Sequence, residues 1–104
     1  MPKLTQKELE VIIGYLRKFD NIEEALLFGS RVLDRNRSNS DIDIALKGTN
    51  IENSKTALWG LLEDESPLQY TFDIVDYHKI KNSDLKTHID KQGIVFYRSS
   101  IVKK

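Results

Sequence analysis

Hydrophobic residues recur at helical spacing along the first twenty positions of the chain. This spacing places them on one face of a helix, which predicts an amphipathic helix packed against a core. Thr5 and Glu8 precede the apolar positions in the T-x-x-E order of a capping box, so the helix is predicted to begin there. The apolar positions are Leu9, Ile12, Ile13, Leu16 and Phe19.

Two predicted strands follow, and their patterns differ. Residues 25–28 form a continuous apolar run that ends at Gly29, which predicts a strand covered on both faces. Residues 41–46 alternate instead, and side chains at alternate positions of a strand share a face. One face would carry Asp41, Asp43 and Ala45, and the other Ile42, Ile44 and Leu46. The second strand is therefore predicted to bury one face and to present two acids on the other.

The rest of the chain predicts further helices and strands in alternation. Asn82 or Ser83 is predicted to start the last helix, and Gly93 to end it as a C-terminal glycine. The order indicates a single α/β (α+β) domain over residues 1–104, with a mixed β-sheet. Helices are predicted at 30–33, 51–63 and 84–91, strands at 70–75 and 94–97, and a loop at 34–40.

The composition narrows the classes of partner. Lysine plus arginine and aspartate plus glutamate number 16 each, which argues against general nucleic-acid binding and membrane-surface binding. No apolar run approaches the roughly 20 residues that span a bilayer. The chain has no cysteine, which excludes disulfides and cysteine-based zinc sites. The first residues show no secretory signal, so a cytoplasmic location is expected.

The D-x-D of Asp41 and Asp43 is a candidate metal site. Residues i and i+2 of a strand point the same way, about 6.5–7 Å apart. Two carboxylates so placed can share Mg²⁺, which takes oxygen ligands. The alternative is two exposed aspartates on a solvated edge. Aspartate is a poor strand former, so two of them in one strand favour a role beyond structure.

Gly29, Ser30 and Arg31 form a candidate phosphate site. A strand that ends in Gly-Ser and opens a helix offers backbone N–H groups and a hydroxyl where the helix dipole is positive. Glycine also permits close approach to a phosphate, and the arginine could add a contact. The alternative is an ordinary helix N-cap preceded by a turn glycine.

A third acid lies in the predicted strand near residue 73. Asp73 has apolar neighbours on either side in sequence, and Asp76 is the rival. We prefer Asp73, because Asp76 stands at the strand end. If this strand lies beside the D-x-D strand, three carboxylates converge, as in two-metal sites whose ions lie about 3.5–4 Å apart.

Three other side chains have ordinary structural interpretations. His78 and His88 could move protons, but surface or helix-face positions are the simpler interpretation. Trp59 is predicted to lie on a helix as a core or interface residue rather than as a platform for stacking a base.

Gly-Ser, ten further residues, a D-x-D and a later hydrophobic-Asp-hydrophobic strand together resemble a known family. The pattern is similar to the minimal nucleotidyltransferases of the polymerase-β-like superfamily. Residues 40–46, 69–77 and 88–98 also look like these small proteins. The motif positions fall on Gly29, Ser30, Asp41, Asp43 and Asp73.

The resemblance implies a fold, a reaction and cofactors. The fold would be a mixed sheet with helices packed mainly on one face. Gly29 and Ser30 would hold the triphosphate of ATP or another NTP, while Asp41 and Asp43 would bind two Mg²⁺ ions. Asp73 would complete the metal site and help to activate an acceptor hydroxyl. The reaction would transfer a nucleoside monophosphate, with AMP from ATP as the expected case, and release pyrophosphate.

The resemblance also implies a partner. Relatives of this size are often paired with a separate helical protein, either a substrate-binding bundle or a HEPN-type toxin that its antitoxin modifies on a tyrosine. A similar partner is expected here, and a homo- or hetero-oligomer is compatible with it. The chain departs from the family's G-S-R-A-R-G, because Val32, Leu33 and Asp34 follow Arg31. This departure leaves open a non-catalytic or weakly catalytic subunit that acts by complex formation.

Overall fold

The computed structural model describes residues 4–29, 42–68 and 70–99. The helix predicted at 30–33 and the loop at 34–40 lie outside these residues. The described α-helices are α1 (Gln6–Leu16), α2 (Ile51–Gly60) and α3 (Ser83–Gln92), and the strands are β1 (Ile22–Phe28), β2 (Ile42–Gly48), β3 (Phe72–Asp76) and β4 (Ile94–Arg98). A π-helical turn, Leu61–Glu65, continues α2, and a 3₁₀ turn, Tyr77–Lys79, follows β3.

The four strands form one mixed sheet in the order β3-β2-β1-β4. Strand β1 is antiparallel to both β2 and β4, whereas β2 and β3 are parallel. A parallel pair needs a crossover connection, and α2 lies within the one that joins β2 to β3. The end of β1 and the starts of β2 and β3 therefore meet at one edge of the sheet.

The helices cover the two faces of the sheet unequally, as the predicted fold class requires. Ile12 of α1 and Leu58 of α2 are fully buried in one cluster with Leu27 and Ile44 of the sheet. Helix α3 packs on the opposite face, where Ile89 contributes to a smaller cluster. The partners of Ile89 there are Leu26, Phe28 and Ala45. Strand β1 thus contributes to both cores, which confirms its prediction as a strand buried on both faces.

The predicted start of α1 is confirmed. The backbone N–H of Glu8 donates to Thr5 Oγ1 at 3.1 Å, and the Thr5 N–H donates to Glu8 Oε1 at 2.9 Å. Both halves of the capping box are present, so two amide groups that the helix leaves without partners are satisfied.

We expect Thr5→Ala to lower the free energy of unfolding by about 1 kcal/mol, because the alanine has no hydroxyl to accept the Glu8 amide. Urea denaturation followed by circular dichroism measures this difference. An unfolding midpoint identical to that of the wild type would show that the capping box contributes nothing to stability.

Gly93 ends α3 as predicted, but not through a left-handed conformation. Its φ of −66° and ψ of 143° are extended, and its N–H donates to Ile89 O. A Cβ at this position would lie 2.4 Å from Ile89 O and 3.3 Å from Leu26 Cδ2. Glycine is therefore needed here because α3 returns to the sheet through a space that has no room for a side chain.

Each helix within residues 4–29, 42–68 and 70–99 is too short or too polar to cross a membrane.

Candidate active site

Two of the three predicted metal ligands lie side by side in the sheet. Asp43 of β2 and Asp73 of β3 are direct register partners in the parallel pair. Neighbouring strands lie about 4.7–4.9 Å apart, and side chains at one register position point to the same face. Helix α3 packs on this same face, because Ala45 and Val75, which lie two residues later on the two strands, pack in the cluster of Ile89. Both carboxylates therefore lie on the α3 face, two residues before the positions that α3 contacts.

Asp76, the rival third acid, lies away from Asp43. Its register partner is Leu46, three positions along the strand, and it points to the opposite face. Only 9% of Asp76 is exposed, and its Oδ1 accepts the backbone N–H of His78 at 3.1 Å. Asp76 therefore caps the 3₁₀ turn, and it is Asp73 that the structure places beside Asp43.

Gly29 lies directly after β1 at the same edge of the sheet. Its φ of +80° is a left-handed conformation that glycine adopts without strain. A Cβ on Gly29 would lie 2.1 Å from Asp43 Oδ2. The absence of a side chain therefore lets the backbone approach a carboxylate of the predicted metal site, whereas the sequence suggested only an approach to phosphate.

His88 contacts this glycine, so the interpretation of His88 as a plain helix-face residue is incomplete. The backbone N–H of Gly29 donates to His88 Nε2 at 3.1 Å. The His88 ring also lies edge-on to the Phe28 ring, with 6.1 Å between centroids. No local sequence signal could have found this contact, because 59 positions separate the two residues.

Trp59 is not a core residue, which corrects that part of its interpretation. It is 46% exposed, and its indole N–H donates to Phe72 O at 3.1 Å on the outer side of the edge strand β3. A carboxylate oxygen of Glu63 accepts the Phe72 N–H at 2.7 Å. Both polar backbone groups of Phe72 are thus satisfied by side chains from α2 and the π-helical turn.

A shallow depression lies between α2 and the edge strand β3. Its volume is about 240 Å³, and the indole of Trp59 forms part of its wall. The remaining lining residues are Lys55, Thr56, Phe72, Asp73 and Ile74. Trp59 and Asp73 therefore border the same depression along the edge strand.

Three predicted site residues lie outside the described part of the chain. These are Ser30, Arg31 and Asp41, and their roles stay predictions. Among residues 4–29, 42–68 and 70–99, no three histidine, cysteine, aspartate or glutamate side chains are grouped to hold a metal ion. Asp43 and Asp73 nevertheless offer paired carboxylate oxygens, the donors that Mg²⁺ prefers. The described residues therefore fit one side of a magnesium site.

A family model described as "Polymerase beta, Nucleotidyltransferase" matches residues 10–101. The chain belongs to this nucleotidyltransferase family. A search of curated proteins found no significant match.

Solved structures place the chain among the minimal nucleotidyltransferases. A chain in the crystal structure of a toxin–antitoxin with AMP-PNP is 28% identical, with a TM-score of 0.70 over 88% of this chain and 74% of that one. A chain in the crystal structure of the toxin–antitoxin MntA-HepT is 27% identical, with a TM-score of 0.66 over 91% and 74%. The resemblance to minimal nucleotidyltransferases is thereby confirmed.

A more distant structure shares the fold alone. It is a Sulfolobus solfataricus protein, 20% identical, with a TM-score of 0.52 over 86% of this chain and 76% of that one. The fold that the family resemblance implies is thus also seen in a protein of lower sequence identity.

Proposed function

We propose that this nucleotidyltransferase domain transfers a nucleoside monophosphate, AMP from ATP, to a hydroxyl acceptor in a magnesium-dependent reaction. The observation that carries the proposal is the register of Asp43 and Asp73 on one face, at the edge where β1 ends in Gly29. Paired carboxylates beside a glycine turn bring metal-binding and phosphate-binding chemistry to one place.

The proposal assigns a role to each predicted residue. Asp41, Asp43 and Asp73 would hold two Mg²⁺ ions. Bound Mg²⁺ would supply positive charge to the phosphate oxygens as negative charge develops on them. In the turn, Gly29 lets the backbone pass close to Asp43, while Ser30 and Arg31 would contact the triphosphate. In this proposal the carboxylates bind the cations and the turn binds the anionic triphosphate.

The proposed reaction is an in-line substitution at the α-phosphorus of ATP. The acceptor oxygen forms a bond to that phosphorus, and the bond to the oxygen bridging the α- and β-phosphates breaks. Pyrophosphate leaves with the electron pair of that bond. The hydroxyl proton passes to a carboxylate at the acceptor side, and the exposed Asp73 is our candidate.

We further propose that a helical partner protein carries or holds the acceptor. The similar chains come from toxin–antitoxin structures, one of them with AMP-PNP. A HEPN-type toxin or a substrate-binding bundle would suit this role, and the chain would then act as the antitoxin. The exposed Trp59, which borders the same depression as Asp73, offers such a partner an aromatic contact.

The test is transfer of label from α-³²P-ATP with Mg²⁺, with the chain alone and with its co-purified partner. We expect a labelled partner only when both proteins and Mg²⁺ are present. The double variant Asp41→Ala/Asp43→Ala is the negative control. No transfer by the wild type, or equal transfer by the double variant, would contradict the enzymatic function.

An alternative function rests on the sequence of the turn. Val32, Leu33 and Asp34 replace the family's Ala-Arg-Gly, so one positive charge is absent and one negative charge is added. The chain would then act as a binding subunit through complex formation. Calorimetry separates the two functions, because partner binding that survives Asp43→Asn, without measurable binding of Mg²⁺-ATP to the wild type, supports the alternative.

A further inference from the structure

The hydrogen bond between Gly29 and His88 joins the backbone to the imidazole ring. A backbone N–H can only donate, so Nε2 of His88 is its acceptor. The contact therefore depends on a side chain that offers an acceptor atom at this position.

Helix α3 makes other contacts besides this bond. Ile89 is fully buried against the sheet, and Asn82 caps the first turn by accepting the amides of Asp84 and Leu85. The hydroxyl of Tyr77 donates to Asp90 on the same helix. This hydrogen bond to Asp90 raises the pKa of Tyr77 above its usual value. Because several contacts hold the helix, the His88 nitrogen acts as a fixed acceptor for Gly29.

Gly29 lies between the imidazole and the candidate metal site. Its N–H is bound by His88, and the position of its missing Cβ is filled by the carboxylate of Asp43. A rotation of the Gly29 peptide would change the space beside Asp43 Oδ2. A group that fixes this peptide therefore helps to fix the position of the Asp43 carboxylate.

We propose that His88 is a positioning residue that, through the Gly29 amide, holds the Gly29 peptide against the Asp43 carboxylate of the candidate metal site. The consequence for nucleotide binding rests on the proposed function, whereas the effect on Gly29 does not. It follows that the Gly29 amide, which is bonded to His88, is not itself a phosphate donor.

The first measurement follows the Gly29 amide by NMR in the wild type and in His88→Leu, His88→Gln and Tyr77→Phe. Glutamine places an amide oxygen near the position of Nε2, whereas leucine keeps bulk without an acceptor. Loss of one hydrogen bond of about 1 kcal/mol predicts exchange of the Gly29 amide about fivefold faster in His88→Leu. We expect near wild-type exchange in His88→Gln.

Tyr77→Phe is the matched control, because it also removes one hydrogen bond to α3 but none to Gly29. We expect it to leave the Gly29 amide protected. Equal exchange in the wild type and His88→Leu would overturn the proposal. Faster exchange of that amide in Tyr77→Phe would also overturn it, because any loosening of α3 would then suffice.

The second measurement is the label-transfer assay with the co-purified partner. His88→Leu is expected to raise the KM for Mg²⁺-ATP about fivefold to tenfold with a smaller change in kcat, and His88→Gln to restore it. An unchanged KM in His88→Leu, or an equal rise in Tyr77→Phe, would contradict the link to nucleotide binding. Absence of transfer by the wild type would count against the proposed function, while the Gly29 amide would still decide the role of His88.

Discussion

Replacing Asp73 with asparagine is expected to reduce nucleotidyl transfer by at least about 100-fold, since second-shell partners of metal ligands alone contribute 10- to 100-fold. Asparagine keeps the shape of the side chain but removes its negative charge. Only the charge of Asp43, the register partner on the neighbouring strand, would then remain of the two. The exposed position predicts a change in unfolding free energy within about 0.5 kcal/mol. Initial rates of label transfer at saturating Mg²⁺, together with a urea unfolding curve, measure both effects.

Asp76→Asn is the matched control on the same strand. Asp76 points to the opposite face, and an asparagine oxygen can still accept the His78 amide. We expect transfer by this variant to stay within about twofold of the wild type, because the hydrogen bond to His78 is kept. Comparable losses of transfer in Asp73→Asn and Asp76→Asn would contradict a specific catalytic role for Asp73.

Gly29→Ala is expected to damage both stability and transfer. A left-handed conformation costs an ordinary residue about 1–2 kcal/mol. The added Cβ would also meet Asp43 Oδ2 at 2.1 Å, so the carboxylate must turn away. Because that carboxylate is a proposed metal ligand, we expect transfer to fall at least about 100-fold as well. Urea denaturation and the transfer assay separate the two losses.

Gly14→Ala is the control for glycine replacement in general. Gly14 lies inside α1, and a Cβ there would meet nothing within 4 Å. Alanine is a better helix former than glycine, so the unfolding free energy should rise by about 0.5–1 kcal/mol and transfer should not change. A Gly29→Ala variant as stable and active as Gly14→Ala would show that neither the positive φ nor the contact with Asp43 matters.

Much of the local structure follows from the order of the residues. The capping box of Thr5 and Glu8 fixes where α1 begins, because its groups are three positions apart and need no distant partner. The alternation from Ile42 to Leu46 decides that the side chain of Asp43 points away from the main core. The motif spacing also supported the resemblance to the nucleotidyltransferase family, which the family model confirms.

Other boundaries depended on contacts that the sequence does not show. The sequence predicted that β3 begins at Tyr70. In the structure the strand begins at Phe72, because its pairing with β2 starts there. The predicted helix 51–63 continues from α2 into a π-helical turn, within which Glu63 reaches the Phe72 amide. These details depend on where α2 lies along the edge strand.

Some features of the candidate site follow from the sequence, whereas others are decided only by the tertiary structure. The sequence supplied the acids, the glycine and the face of each strand, because a two-residue period is a local property. The tertiary structure decided that Asp73 rather than Asp76 stands beside Asp43, since register between strands is set by the crossover and the packing of α2. It also decided that His88 holds Gly29, because two residues 59 positions apart meet only after α3 has packed on the sheet.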